Sequence, residues 1–288
     1  MRLVSWNVAG RRDGSRAPRL TRQADAIASE DPDVVALQEV TRESDPQWRG
    51  ALADRGLAHV ASTTHLLAPG RRYANLLASR WPLDVLSLSD AENDFPERLL
   101  AAELHHPELG VEVHVFHAPT GVGAGWGKIR ALEALHRLLE VASDLPRVVC
   151  GDFNAPQAEP PGRPLVTFAQ DAATGELRRR PERWYRDVEP DVPWDPERWD
   201  QAERQILAPH ESDLIDVYRL LHPDGQDHSW VWRGRGHEVA RRFDHVFASR
   251  TLQPQSIRYR HDWRQRSDGQ QLSDHSGVAA EFSAAPRS

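Results

Sequence analysis

Short apolar segments recur along the whole chain, and most are too short to form helices. Two segments with a helical period, 18–28 and 129–139, and a shorter one at 213–221 interrupt them. We therefore expect an α/β protein with two sheets packed together and helices outside. The predicted strands lie at 2–8, 34–37, 74–78, 83–88, 99–104, 111–117, 148–150, 229–232, 242–248, 256–259 and 278–282.

Composition excludes several classes of protein. The chain has 288 residues, of which 39% are hydrophobic, and Cys150 is the one cysteine. An intrachain disulfide and a zinc site built mainly of thiolates are therefore excluded. No apolar run of about 18 residues indicates a membrane span. The N-terminus lacks the apolar region of a signal peptide, so a cytoplasmic location is the default expectation.

Residues 155–200 differ from the rest of the chain. They are rich in Pro, Arg and Trp and have weak periodicity. We interpret them as an ordered insertion in one domain that spans residues 1–288. The tryptophans of this segment, Trp184, Trp194 and Trp199, either roof a cleft or form a purely structural lid.

Charge is unevenly distributed along the chain. The net charge is −7, whereas a protein that coats polyanions in general would be basic. Residues 230–266 nevertheless contain nine arginines and three acidic residues. A basic segment on an acidic body suits a localised anionic ligand. The alternative is an arginine-rich face that only contacts solvent.

Polar residues cluster where the predicted strands end. Ligand sites form where strand ends meet over a crevice, so these side chains are expected to converge. Carboxylates and imidazoles in one crevice repel unless a cation lies among them, and oxygen-rich sites favour Mg²⁺, with Mn²⁺ as a substitute. The alternative is a set of ordinary turn, cap and core residues. The residues are Asn7, Glu39, His117, Asp152, Asn154, Asp244, Asp274 and His275.

Four short motifs carry a family resemblance: S-W-N at 5–7, L-Q-E at 37–39, G-D-F-N at 151–154 and S-D-H at 273–275. Together with the segments 75–83 and 242–249, they resemble the endonuclease/exonuclease/phosphatase superfamily. This group includes exonuclease III, abasic-site endonucleases, DNase I-type nucleases and inositol-phosphate phosphatases. The resemblance implies a four-layer α/β/β/α sandwich with two packed mixed, largely antiparallel sheets.

The resemblance also implies a metal site. Glu39 resembles the principal Mg²⁺ ligand of the family, with Asn7 beside it as a ligand or a ligand positioner. Asp274 is a further metal-ligand candidate. Asn75, in the motif at 75–83, is a candidate substrate contact.

The catalytic roles follow from the same resemblance. Asp152 would orient or deprotonate the attacking water, and Asn154 would hold the phosphate or the water. His275 would contact the scissile phosphate, with Asp244 fixing its tautomer and raising its proton affinity. His117 matches the DNase-like and phosphatase branches, whereas abasic-site endonucleases usually carry tyrosine in that region. Abasic-site specificity is therefore not implied.

The predicted strand near 230 suggests a substrate surface. Trp230 and Trp232 are two residues apart in a strand, so both indoles share one face, and Arg233 follows them. Such a set suits base stacking and phosphate pairing, although an ordinary core strand with an arginine turn explains it as well.

A glycine-rich segment at 121–127 precedes Lys128 and superficially resembles a phosphate-binding loop. It lacks glycine at 122, and Ile129 stands where Ser or Thr should follow the lysine. We therefore expect a mobile rim beside the active site, with Lys128 near the phosphate.

Three functional interpretations remain. The first is a Mg²⁺-dependent nuclease or repair-type phosphodiesterase acting on nucleic acid. The alternative is a phosphatase acting on a small or lipid-like phosphate ester. A non-catalytic binding module is disfavoured because the motif set is complete. No membrane association and no obligate protein partner are indicated.

Overall fold

The structure, a computed structural model, describes residues 1–10, 16–87, 93–182, 191–209, 212–234, 236–264 and 271–284. Two six-stranded sheets dominate it, and a two-stranded hairpin stands apart from both. The described strands, in chain order, are β1 (Arg2–Asn7), β2 (Val34–Val40), β3 (His59–Ser62), β4 (Ala74–Ser79), β5 (Leu83–Val85), β6 (Leu99–His105), β7 (Gly110–His117), β8 (Arg147–Asp152), β9 (Leu214–Asp216), β10 (Trp230–Gly234), β11 (His237–Arg241), β12 (Asp244–Ser249), β13 (Leu252–Arg260) and β14 (Gly277–Ala284).

Helices connect and cover these strands. None of the helices described is long and apolar enough to cross a membrane. The described α-helices are α1 (Arg16–Ala28), α2 (Asp45–Ala53), α3 (Gly121–Ala124), α4 (Trp126–Glu140), α5 (Pro196–Leu207), α6 (Val217–Leu221) and α7 (His261–Arg264), and short 3₁₀ turns lie at Thr64–Leu66 and Pro96–Arg98.

Each large sheet is mixed and mostly antiparallel. The first has the order β13-β14-β1-β2-β4-β3, and its parallel pair is β1 with β2. The second has the order β5-β6-β7-β8-β12-β9, and its parallel pair is β7 with β8. The strands β10 and β11 form the separate hairpin.

Three apolar cores separate four layers. Between the sheets, β2 contributes Val34 and Ala36, which belong to the same core as Val115 of β7. The alternate residues Val35 and Leu37 belong to a second core, with α1 and α2 on the outer face of the first sheet. A third core joins α4 and α5 to the outer face of the second sheet. Both faces of the central strands are buried, which explains their continuous apolar sequences. The expected α/β/β/α sandwich is confirmed.

Several elements were not expected from the sequence. They include α2, β3 and β11, whose sequences lack a strong apolar pattern. The expected glycine-rich rim at 121–127 is instead helical on both sides of Gly125, whose φ of 53° allows α3 to turn into α4.

The predicted insertion is partly regular. Isolated bridges join Ala158 to Val166 and Gln170 to Leu177, and α5 begins within its last residues. Trp199 is buried in the core beneath α4 and α5, so it is structural, whereas Trp184 lies outside the described residues. The division of the chain into one domain with this insertion stays a prediction.

The backbone near the end of β8 requires glycine at position 151. Gly151 has a φ of +139°, and a Cβ atom there would lie 1.9 Å from the carbonyl oxygen of Phe116 on β7. The space is closed by backbone of a central strand, so it cannot yield by a side-chain movement.

We expect Gly151→Ala to lower the free energy of unfolding by at least about 2 kcal/mol, because it adds backbone strain to a steric clash. Gly162→Ala is the matched control. Gly162 also has a positive φ, +66°, but an added Cβ would meet nothing within 4 Å. The control should cost only about 1 kcal/mol. Equal losses for both variants in urea denaturation would contradict the steric explanation.

Candidate active site

Strand register brings the predicted polar residues of the second sheet together. Asp152 ends β8 and is paired with His117 at the end of β7 and with Asp244 at the start of β12. Asn7 ends β1 in the first sheet, and its Nδ2 donates to Asp152 Oδ2 at 2.9 Å. The ends of strands from both sheets therefore form one site, as the sequence predicted.

Residues near the two ends of the chain close this site. Ser273 Oγ donates to the carbonyl oxygen of Asn7 at 2.6 Å. Trp6 Nε1 donates to the carbonyl oxygen of His275 at 2.9 Å. These bonds hold the S-D-H segment against β1, which sets the position of the His275 ring.

Two site residues have left-handed backbone conformations. Glu39 has a φ of 62° and Asn154 a φ of 47°. Glu39 lies where the pairing of β2 with β4 shifts between Leu37 and Val40. Such conformations cost about 1–3 kcal/mol each and persist only where the surrounding structure imposes them. This shift directs the Glu39 carboxylate to the site, and a sequence pattern does not reveal it.

His275 and Asp244 form a buried hydrogen-bonded pair. The distance between His275 Nδ1 and Asp244 Oδ2 is 2.7 Å. Burial alone would lower the pKa of His275, but the charges of Asp244 and Asp152 overcome it and raise that pKa to about 10. The imidazole is therefore a cation at neutral pH, and its Nε2 lies 3.8 Å from Asp152 Oδ2.

Asp152 is held on several sides. Its Oδ1 accepts from the backbone N–H of Asn154 at 2.9 Å, and its Oδ2 accepts from Asn7. Burial raises the pKa of Asp152, partly opposed by the positive His275. A carboxylate with a raised pKa in a site is suited to accept a proton.

Glu39 lies beside this group. Its Oε1 accepts from Asn7 Nδ2 at 3.3 Å. Burial raises the pKa of Glu39, and the charge of the neighbouring Asp274 raises it further, whereas His275 lowers it. Asp274 is exposed at the edge of the site. A cation here would offset the cost of these negative charges.

One group of side chains in the described residues has the spacing of a metal site. Ligand atoms of Asp152, Asp244 and His275 lie within 4.8 Å of one another. A protonated imidazole does not bind metal, however, so the raised pKa of His275 argues against it as a ligand. The carboxylate oxygens of Glu39 and Asp274 suit a hard cation such as Mg²⁺, whereas Oδ1 of Asn7 accepts from the backbone N–H of Ala9 at 3.0 Å.

Arg98 is a site residue that sequence reasoning missed. Its Nη1 lies 3.1 Å from His117 Nε2, and its charge acts on both Glu39 and Asp152. Burial and the Arg98 charge hold the pKa of His117 well below its usual value, so this imidazole is neutral. The only sequence feature that could have indicated its role is its position immediately before the predicted apolar strand at 99–104.

Asn75 lies between the sheets. Its Nδ2 donates to the carbonyl oxygens of Arg98 at 2.7 Å and Val115 at 2.9 Å, and the residue is 0% exposed. This placement does not allow the direct substrate contact that the sequence suggested. Asn75 instead fixes the backbone that carries Arg98.

The hairpin β10–β11 flanks the site. Trp230 forms an isolated bridge with His275, and its ring stacks on Phe243 at 5.4 Å. Trp232 is 44% exposed, which is unusual for an indole. Arg233 is also exposed and forms a surface ion pair with Glu238. Trp232 is therefore the member of this set that is available to a ligand.

The arginine-rich segment does not form one basic face. Arg242 is buried between Glu159 and Asp216, and both Arg258 and Arg260 pair with Glu30. Arg235 and Arg266 lie outside the described residues. The segment's charge is thus largely used in ion pairs, and the idea of a localised anionic ligand gains no support from it.

Lys128 is not at a mobile rim. The residue is 0% exposed, and its Nζ donates to Glu203 Oε1 at 2.7 Å. A direct contact with the substrate phosphate is therefore excluded in this structure.

Comparison with family models gives one match. Residues 4–275 match the model described as the Endonuclease/Exonuclease/phosphatase family. This range contains every predicted site residue. A search of curated protein sequences found no match.

Solved structures share the fold at low sequence identity. An AP endonuclease from Archaeoglobus fulgidus is 20% identical, with a TM-score of 0.69 over 99% of this chain and 100% of that one. The 3′ phosphatase NExo from Neisseria, bound to a product DNA hairpin, is 21% identical, with a TM-score of 0.65 over 98% and 99%. A humanized D. rerio TDP2 is 16% identical, with a TM-score of 0.60 over 99% of both chains.

We expect Asp244→Asn to lower the pKa of His275 from about 10 toward the ordinary histidine value, although Asp152 still raises it. Asp244 is the strongest group that raises this pKa, and the opposing effect of burial remains in the variant. The ring should then lose its charge between pH 6 and 8, a range that spans the ordinary pKa of about 6.5, as an NMR titration would show. Asp84→Asn, at an exposed carboxylate that contacts His105, is the control. A His275 ring still protonated at pH 8 in Asp244→Asn would contradict the assignment.

Proposed function

We propose that the chain hydrolyses phosphodiester bonds in nucleic acid, most readily DNA, with Mg²⁺. It belongs to the endonuclease/exonuclease/phosphatase family and is thus a metal-dependent phosphoesterase. The observation that carries this proposal is the convergence of a cationic His275, a buried Asp152 and the Glu39 carboxylate at one edge of the two sheets. These are the charges that phosphate-ester hydrolysis requires.

Glu39 and Asp274 would hold the Mg²⁺, with Mn²⁺ as a substitute, and Asn7 would position Glu39. When bound, a divalent ion supplies positive charge that stabilises the phosphate oxygens and lowers the pKa of water. Asn7 donates to both Glu39 and Asp152, so it fixes the separation of these two carboxylates.

Asp152 orients the attacking water and accepts its proton. Burial raises its pKa, which makes it a stronger base than an exposed aspartate. Both of its oxygens are held by hydrogen bonds, so its direction is set before the substrate arrives. Asn154 extends the same group, with an amide that orients the water or the phosphate.

His275 donates a hydrogen bond from Nε2 to a phosphate oxygen. Asp244 holds Nδ1 and keeps the ring positive, so the charge is in place before the reaction begins. The neutral His117 packs against Arg98 and lies 3.8 Å from Asp152 Oδ2. It lies beside the same Asp152 oxygen that His275 approaches.

Nucleic acid is favoured as the substrate by the exposed Trp232, because an indole beside a phosphate site is a stacking surface for a base. The names of structural neighbours agree with this choice: an AP endonuclease and a 3′ phosphatase bound to a DNA hairpin. The alternative is a phosphatase acting on a small or lipid-like phosphate ester. The acidic net charge of −7 favours it, because nucleic-acid-binding proteins are usually basic.

The proposal is tested with labelled duplex, single-stranded and abasic-site DNA, RNA and small phosphomonoesters, each with Mg²⁺ and with EDTA. We expect Mg²⁺-dependent, salt-sensitive cleavage of DNA. Glu39→Gln and His275→Gln should each lower kcat about a hundredfold, because each removes a charge from the reacting site. Glu108→Gln is the control. Glu108 is an exposed carboxylate in the connection between β6 and β7, at the end of β7 away from His117.

Phosphate release from small esters alone would reject the nucleic-acid substrate. Cleavage in EDTA at the Mg²⁺ rate would reject the metal site. Wild-type rates in folded Glu39→Gln and His275→Gln would reject the residue roles.

Trp232→Ala should raise KM for DNA by about five- to a hundredfold and leave kcat nearly unchanged, because base stacking is worth about 1–3 kcal/mol. Small phosphomonoesters, which have no base, should show no change in KM. Leu220→Ala, at another exposed apolar residue, is the control. An unchanged KM for DNA would remove Trp232 from the substrate surface.

A further inference from the structure

We propose that Lys128, held by Glu203, is a positioning residue for the proposed hydrolysis: its ammonium fixes the carbonyl of Asn154 and thereby the segment that carries Asp152. This inference deepens the proposed function and depends on it for its kinetic consequences. Among the candidate site residues, Lys128 bonds only the backbone carbonyl of Asn154, so its effect is exerted through Asn154.

The pair is buried and fully enclosed. Lys128 and Glu203 are both 0% exposed. Lys128 Nζ donates to Glu203 Oε1 at 2.7 Å and to the carbonyl oxygen of Asn154 at 2.9 Å. The ammonium also lies 4.7 Å from the centre of the Phe168 ring. A buried charge with this many partners has a defined position.

Glu203 anchors the ammonium from α5. Its Oε1 also accepts from Trp199 Nε1 at 3.0 Å, and its Oε2 accepts from the backbone N–H of Phe168 at 3.0 Å. Each carboxylate oxygen is therefore hydrogen-bonded. Glu203 thus connects α4, α5 and the insertion at one point beneath the site.

Asn154 requires this support because of its backbone. Its φ of 47° is in the left-handed region, which a non-glycine residue adopts at a cost. Its backbone N–H donates to Asp152 Oδ1 at 2.9 Å, and its Nδ2 donates to the carbonyl oxygen of Ala118 at 2.8 Å. The ammonium of Lys128 adds a bond on the carbonyl side. Without it the left-handed backbone of Asn154 loses its restraint on the carbonyl side and can relax, which moves its N–H and weakens the bond to Asp152.

The presence of lysine rather than arginine at position 128 supports this positioning role. Lys128 is the only lysine among 36 basic residues of the chain; all the others are arginine. A guanidinium is larger, planar and directs five donors in a fixed fork. The space between Glu203, Asn154 and Phe168 holds a compact ammonium. A chain that otherwise uses arginine thus retains lysine where geometry requires it.

The first test is Lys128→Met. We expect kcat on DNA to fall at least tenfold with KM little changed, because small displacements of a catalytic group are costly to rate. Hydrogen exchange supplies a readout that does not depend on activity. The amide of Asn154 should exchange faster, because its bond to Asp152 is weakened, while the amides in the middle of β8 keep their protection.

Lys128→Met alone leaves Glu203 buried and unpaired, which threatens folding. The double variant Lys128→Met/Glu203→Gln removes both charges and should keep a folded, stable protein, because the amide oxygen introduced at position 203 can still accept a hydrogen bond from Trp199 Nε1 or the Phe168 N–H. The Asn154 carbonyl still lacks its donor. We therefore expect the same loss of kcat and the same faster exchange in the double variant.

Arg147→Met is the matched control. Arg147 Nε donates to Glu112 Oε2 at 3.0 Å, and these residues pair at the opposite ends of β7 and β8 from His117 and Asp152. The variant also breaks a partly buried ion pair on the same two strands, about 16 Å from the site by strand geometry. It should lower stability without changing kcat or the exchange of the Asn154 amide.

Wild-type kcat and wild-type exchange at Asn154 in the folded double variant would overturn the inference. An equal loss of kcat in Arg147→Met would also overturn it, because the effect would then be a general result of lost stability. Failure of the proposed function is distinguishable. In that case wild-type protein cleaves no nucleic acid, while the exchange of the Asn154 amide still confirms or overturns the positioning.

Discussion

Burial of negative charge is the constraint on which this site depends. Antiparallel pairing of β8 with β12 places Asp152 opposite Asp244, both almost without solvent exposure. Two such carboxylates are stable together only with a positive group between them, and His275 is that group. Asn7 donates to Asp152 and Tyr259 donates to the carbonyl oxygen of Asp244, while Ser229 Oγ accepts from the backbone N–H of Asp244, and these bonds keep the arrangement fixed. The arrangement that the proposed hydrolysis needs is thus the same arrangement that offsets the cost of burying the two carboxylates.

Sequence patterns predicted the layers and most strand ends because both depend on local periodicity. The continuous apolar segments of β2 and β8 follow from burial on both faces, and the polar residues after them mark the edge of the sheet. Arg98, by contrast, acts through partners far away in the sequence. Asn75 and Lys128 have polar side chains that satisfy buried backbone groups, and no local pattern distinguishes that use from contact with a ligand.

Charge read from sequence was similarly ambiguous. Arginines at 242 and 260 belong to the same basic segment, yet one is buried between two acids and the other pairs with Glu30. Only the fold decides which charges a ligand can reach. The sandwich fold and the family membership do not depend on these charges and are established. Three points stay predictions: the roles of the individual site residues, the single-domain organisation and the cytoplasmic location.

The bonds from Ser273 to Asn7 and from Trp6 to His275 join residues that are more than 260 positions apart. During synthesis, the first strand leaves the ribosome long before the segment that completes the site. A nascent chain therefore cannot assemble the candidate site until the segment that carries Ser273 and His275 has been translated. Shorter translation products would carry strands of the sandwich without the bonds that close this site.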